Sequence, residues 1–272
     1  MLKTKQPETA PGTALESKST PTFLIDPEGI AMIWQRDMVR LWRQRSRLLG
    51  AVARALVWLF ALGFGLRGSL GSIAGFSYEQ FVFPGVIAMT VIFSGLQSAI
   101  SIVYDREFGF LKEVQVAPTP RSTLVIGKCL GGASSSTVQA LIILLFAPLA
   151  SVHLTLLNVL ATILATFVTA LAISSMGVVI AMWIKDFENF GTFQNFITLP
   201  LYMFSGAIFP TRQVPGWLHT VLLLNPLAYG VNAIRGVLLG YESAGVLYNL
   251  TILLGFTVIM LLIAIALSYR EV

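Results

Sequence analysis

Charge is what this sequence has least of. Asp, Glu, Lys and Arg make up 11% of its 272 residues, where a water-soluble domain carries about a quarter. A chain so poor in charge cannot cover itself with a wetted surface, and 56% hydrophobic content makes lipid its main solvent. A single cysteine, Cys129, excludes an internal disulfide and any CxxC site, and is expected to be a small packing residue. The only histidines, His153 and His219, lie in different segments and offer no metal site. No Gly-x4-Gly-Lys-Ser/Thr loop exists, since "VIGKCLGG" lacks its spacing and its hydroxyl, so ATP is not held in that way. No Ser–His–Asp or Cys–His set is visible either. The chain is therefore expected not to be an enzyme and to carry no cofactor or metal of its own. Nucleic-acid binding is not suggested, because the pI of about 9.5 reflects arginines gathered at a membrane face.

Charge is also unevenly placed. No Asp, Glu, Lys or Arg interrupts the 56 residues between Lys128 and Lys185, the 27 between Glu242 and Arg270, or the 25 between Glu79 and Asp105. About 20 apolar residues cross the hydrocarbon core of a bilayer, so the first gap holds two spans and the others one each. The pattern predicts an all-α membrane protein with six spans near 48–66, 81–103, 124–150, 154–184, 193–209 and 246–268. These spans hold no acidic residue, whereas ion-coupled transporters usually need intramembrane ionisable groups. Gly127-x3-Gly131 and Gly132-x3-Ser136 put small residues one turn apart in the third span, suited to close helix packing inside the subunit or at a seam between subunits.

Orientation follows from Lys and Arg. Fourteen of the 18 fall in the N-terminal region, around 104–128, at Lys185 and at Arg270, against three (Arg67, Arg212, Arg235) on the other side. Both termini are expected in the cytoplasm of a bacterial inner-membrane, multi-pass protein. The remaining one, Arg54, sits inside the first span, where snorkelling to the interface competes with a substrate-facing or pairing role. Residues 1–25, polar and without an apolar core, read as a disordered cytoplasmic tail. From Asp26 to Arg47 the chain predicts an amphipathic interfacial helix: Asp26 as N-cap, Pro27 at the first helical position, Trp34 and Trp42 on its apolar side, and Arg36, Arg40, Arg43 and Arg47 on another stripe. It either anchors the chain to lipid or also meets a cytoplasmic partner.

Two places break the apolar pattern. Residues 104–122, "YDREFGFLKEVQVAPTPRS", form a short mixed-charge amphipathic piece between spans two and three. Between spans five and six, the apolar pieces 217–224 and 227–239 are each too short to cross and are split by Asn225-Pro226. They suit a re-entrant hairpin over 211–240. The alternative makes the second piece a seventh span with an external C-terminus.

Both pieces carry a resemblance. Glu107, Gly109, Leu111, Pro118 and Arg121 in "EFGFLKEVQVAPTPR" resemble the E-x-G-x-L…P-x-x-R segment in the first cytoplasmic loop of ABC-2 type permeases. Pro226, Tyr229 and Arg235 in "NPLAYGVNAIR" look like the same family's C-terminal signature. The order of tail, interfacial helix, spans and hairpin is similar across 26–272. Lys112 departs from the family's pattern, which has an acidic or neutral residue after Gly-x-Leu. The resemblance implies a transmembrane permease subunit of an ATP-driven exporter for an amphipathic substrate, a hydrophobic drug-like compound or a lipid-linked glycan. It implies two ATP-binding partner subunits holding ATP and Mg, and a second permease, as a homodimer or a pseudodimer. It makes 104–120 the coupling helix, with Phe108, Leu111 and Val114 entering a groove on the partner and Glu107, Lys112 and Glu113 at the rim. Phe93, Gln97, Tyr202, Phe204 and Phe209 are candidate path liners by location. Two other readings stand beside it: a non-transporting scaffold or signal transmitter driven by a partner ATPase, and a secondary transporter.

Overall fold

The computed structural model describes residues 26–73, 75–107, 120–184, 187–211, 214–241 and 245–270. Helix α1, Pro27–Arg43, begins as its sequence dictates, with the Asp26 carboxylate accepting from the Glu28 N–H at 3.1 Å and Pro27 at a position that has no N–H to satisfy. The chain turns at Gln44 into α2, Arg45–Trp58, which widens into a π-helical stretch, Leu59–Phe64. There the Gly65 N–H reaches back to the Phe60 carbonyl at 3.0 Å, and a Cβ on Gly65 would strike the Ala61 carbonyl. A short α3, Arg67–Leu70, and a two-stranded hairpin, β1 Ser72–Ile73 against β2 Phe76–Ser77, lead to α4, Tyr78–Glu107.

Then follow α5 (Arg121–Leu144), a 3-10 turn at Ala147–Ala150, α6 (Leu156–Trp183), α7 (Phe187–Met203), α8 (Gly216–Leu224), α9 (Pro226–Leu239) and α10 (Val246–Arg270). The protein is an all-helical, multi-pass membrane protein. Among the described residues, four helical stretches are long and apolar enough to span a bilayer: Arg45–Phe64, Tyr78–Glu107, Leu156–Trp183 and Val246–Tyr269. The pair α8 and α9, bent by 86° at Asn225, makes a fifth if it is counted as one broken span. Helix α5 has the length, but Gly, Ser, Thr and Gln dilute its apolar content. Helix α7 has 17 residues with Pro200 inside.

Hydrogen bonds sort the helix ends into two layers. At one end, Arg106 on α4 donates to the carbonyls of Met182 and Ile184 at 3.4 and 3.3 Å. Arg121 on α5 donates to the Ser268 carbonyl of α10 at 2.6 Å, and the Asp26 N–H donates to Thr123 Oγ1 at 3.0 Å. At the opposite end, the Tyr78 hydroxyl donates to the Ile208 carbonyl, Gln80 to Ser151, and Arg235 to Phe81. So the starts of α1 and α5 lie with the ends of α4, α6 and α10.

Two small-residue faces on α5 explain the packing. Along one, a Cβ on Gly127 would sit 2.9 Å from Ile33, and one on Gly131 would sit 2.6 Å from the Asp37 carboxylate. Trp34 Nε1 donates to Ser134 Oγ at 2.9 Å. The contacts advance together in both helices, so α1 runs lengthwise along the first half of α5. The Gly-x3-Gly spacing is thus an intrasubunit seam. On the other face, Gly132 admits Ser98 of α4 and Ser174 of α6. Helix α4 is buried around most of its circumference and forms the centre of the core with α5 and α6.

Candidate translocation and coupling site

Helix α4 rises about 1.5 Å per residue, so its 30 residues are about 45 Å long, more than the roughly 30 Å hydrocarbon core. It therefore takes in three acidic residues at its ends, Glu79, Asp105 and Glu107, which the expected span of 81–103 left out. The first two are paired. Glu79 Oε1 lies 3.4 Å from Arg67 Nη1, and Asp105 Oδ2 lies 3.2 Å from both Lys128 Nζ and Arg36 Nη2. Lys128, 3% exposed, also donates to Ser101 Oγ at 2.8 Å and lies 3.6 Å from Asp37 Oδ1. A buried ammonium is tolerable only with such partners. This knot binds α1, α4 and α5 at one point.

The knot opens a polar seam. Ser94, Ser98, Ser101 and Asp105 recur every three or four residues, which puts them on one face of α4. Opposite them Gln139 of α5 donates to Ser94 Oγ at 2.6 Å, and Gln194 of α7 donates to Gln97 Oε1 at 3.1 Å. A cavity of about 420 Å³ sits here, lined among others by Asp37, Arg40, Gln44, Arg47, Gln97 and Ser135. Among the described residues no three His, Cys, Asp or Glu side chains gather as a metal ion would need.

The segment 108–119 lies outside the described residues, but both of its stems are clamped. The Arg106 clamp ties the end of α4 to the end of α6. Arg121 ties the start of α5 to the end of α10 and lies over the Tyr269 ring at 5.8 Å. Asp105, one residue before the first clamp, belongs to the Lys128 knot.

At the other end, a second knot holds the bent pair. Asn225 caps α9 by accepting from the Leu227 N–H at 2.9 Å, while its amide donates to the carbonyls of Leu201 and Phe204 at 2.7 and 2.9 Å. Leu201 is in the last turn of α7, whose carbonyls lack an intrahelical partner, and Phe204 directly follows that helix. The Tyr229 hydroxyl donates to the Leu223 carbonyl at 2.8 Å. Arg235, 1% exposed, donates to the carbonyls of Gly206 at 3.0 Å and Ala207 at 3.2 Å, with its guanidinium 3.9 Å from the centroid of the Phe81 ring. Tyr229 and Arg235 thus serve the backbone of neighbouring elements, while Pro226 opens α9.

The sequence pattern of the ABC-2 type transporter membrane region matches residues 28–239, from α1 through both clamped stems to the end of α9. The chain belongs to the ABC-2 type transporter family. The permease is 27% identical over 245 residues to Nodulation protein J of Rhizobium leguminosarum bv. viciae, covering 88% of this chain and 93% of that protein. It is 26% identical over 246 residues to the inner membrane transport permease YadH of Escherichia coli K12, again covering 88% and 93%.

The permease brings its expected site residues together only in part. Glu107 is exposed at the last turn of α4 and Arg121 is a clamp, whereas Phe108, Gly109, Leu111, Lys112, Glu113, Val114 and Pro118 lie outside the described residues. Gln97 lines the cavity, and Phe93 lies above it beneath Arg54 at 4.4 Å. Tyr202 is fully buried, edge-on to Trp58 at 5.9 Å, and lines no path within one chain. Helix α7 ends at Met203, short of the expected 209, because Gly206 takes φ +73° and Pro210 follows. Phe204 and Phe209 therefore lie beyond it. On α1, Trp42 and Arg43 are exposed, while Trp34, Arg36 and Arg40 face the chain's own α5, α4 and cavity. Sequence reasoning missed Lys128 and Asn225 as functional residues. A lone lysine in a Gly- and Ser-rich span was the available signal for the first, and its position just before Pro226 for the second.

Proposed function

We propose that the permease is the membrane subunit of an ATP-driven exporter, moving an amphipathic substrate out of the cytoplasm or inner leaflet. Separate ATP-binding subunits, with their own ATP and Mg, act on residues 104–120. A second permease copy completes the path. In this reading six spans cross the membrane with both termini in the cytoplasm, α5 and α7 completing the count, and α8–α9 forms a re-entrant outer hairpin.

The double clamp carries the reading. A push on 108–119 enters through stems that Arg106 and Arg121 fasten to α6 and α10, and that the Lys128 knot fastens to α1. A loop that merely joined two spans has no need of fasteners to three other helices. The grouping of the ends of α4, α6 and α10 with the starts of α1 and α5 supports a cytoplasmic side rich in Lys and Arg. The relatives' names, a transport permease and a nodulation protein, support transport without fixing the cargo.

The test is to purify the chain with the ATP-binding subunit encoded beside it, and to compare co-elution and ATP hydrolysis for Glu107→Ala and for Leu111→Ala with Glu113→Ala. Detachment or uncoupling sustains the reading; full activity in both variants removes 104–120 from the contact. A secondary transporter draws support from the ionisable Lys128 knot inside the bundle. Transport that proceeds without ATP would favour it.

A further inference from the structure

Arg47 and Arg54 have no carboxylate within ion-pair distance among the described residues. They stand seven residues apart on α2, two turns and so on nearly one face. Their heads reach neighbouring residues of α4. Arg47 Nη2 donates to the Ser94 carbonyl at 3.4 Å, and the Arg54 guanidinium covers the Phe93 ring at 4.4 Å. Two like charges therefore converge on one turn of α4. Counting 13 residues at about 1.5 Å back from Glu107 puts that turn about 20 Å from the end of α4, inside the hydrocarbon core. Snorkelling would carry both heads to the interface at the start of α2, away from this depth. Holding them together here is costly unless an anion joins them. Below lies the 420 Å³ cavity, with Arg40 and Arg47 on its wall and Asp37 as its acidic residue. One turn on from Arg54 and beside it on the helix, α2 leaves Val57 exposed, an apolar flank.

We propose that Arg47 and Arg54, with Arg40 at the mouth of the cavity, form a binding site for the phosphate headgroup of an inner-leaflet amphiphile, whose alkyl chain lies along α2 beside Val57. Guanidinium forks match phosphate oxygens in pairs. The site supplies the substrate class for the transport reading and rests on that reading for its purpose.

The test uses the full chain in nanodiscs of a phosphate-free galactolipid, with empty discs as blank. Binding of radiolabelled dodecyl phosphate is compared with that of dodecanol. Dodecyl phosphate is expected to bind about tenfold tighter, the size of a charge-assisted hydrogen bond. Arg47→Gln and Arg54→Gln are each expected to lose most of that preference. Arg54→Lys should keep part of it, and Arg45→Gln, exposed and off the cavity, should keep it all. Elution volume and helical circular dichroism show that each variant is folded. Equal binding of the two probes, or an unchanged preference in both Gln variants, overturns the site. Inorganic phosphate at millimolar concentration should not displace dodecyl phosphate; if it does, the ligand is the free anion and the amphiphile assignment falls. ATPase coupling is measured on the same preparations. Coupling without headgroup preference defeats the site alone, and preference without any ATPase partner defeats the transport reading alone.

Discussion

Removing both carboxylates from Lys128 should cost more than removing Lys128 itself. Asp37→Asn with Asp105→Asn leaves a lysine that is 3% exposed with only the Ser101 hydroxyl, 2.8 Å away. Breaking a buried ion pair from one side costs about 3–5 kcal/mol. The carboxylates are 13% and 21% exposed and the cavity admits water beside them, so the lower end, about 3 kcal/mol, is the better figure. Loss of the Arg36 pair, whose arginine is 43% exposed, adds about 0–1 kcal/mol. At about 2–4 °C per kcal/mol the double variant should melt roughly 6–16 °C lower. Lys128→Met leaves two carboxylates that water and Arg36 still reach, and should cost about 1 kcal/mol or less. The triple variant should recover most of the loss, since a well-packed apolar group often replaces a buried ion pair at no cost. Thermal unfolding of the purified chain in one detergent measures all three. A double variant that melts within about 2 °C of the parent, or a triple that melts no higher than the double, refutes the claim that this lysine depends on its carboxylates.

Asn225→Ala removes a helix cap and two donors to the carbonyls of Leu201 and Phe204, and should cost about 2–3 kcal/mol in the same melts. Asn225→Asp keeps the cap but turns a buried carboxylate oxygen onto those two carbonyls, and should cost at least as much as the Ala variant. Gly131→Val places a Cβ 2.9 Å from that of Asp37 and should lift α1 off α5, read as faster proteolysis near Gln44. Gly68→Val, with nothing within 4 Å, should leave proteolysis unchanged. Arg121→Gln frees the end of α10, so in the assembled transporter ATP hydrolysis should persist while transport falls.

Local chemistry made some of this legible in the sequence. Asp26-Pro27 marks the start of α1 because a carboxylate and a missing N–H solve a problem confined to four residues. Asn225-Pro226 marks the break between α8 and α9 for the same reason. The long charge-free runs locate helices because bilayer thickness sets their length. Lys128 was not legible as a buried ion because its partners sit 91 and 23 residues earlier, on two other helices. Counting charge gaps places it at a membrane flank and draws Asp105 outside its span. Helix length corrects both, since α4 overreaches the hydrocarbon at each end. The end of α7 was misplaced for another reason: Phe204 and Phe209 continue the apolar run, and only the positive φ of Gly206 shows that the helix has already stopped.

Helix α5 has a further consequence, for the order in which the protein is made. Its middle, "GKCLGGASSSTVQ", carries one lysine, four hydroxyls and a glutamine across the depth where lipid tails lie. A segment of this composition gains little by leaving the insertion channel for lipid on its own. Its polar groups are met by α1 and α4, and its small residues are useful only once those helices and α6 press against them. Helices α1 and α4 are translated before it and α6 after it. Stable residence of α5 in the bilayer therefore waits on the synthesis of a later helix, and a chain truncated after 150 should leave it exposed to quality-control proteases.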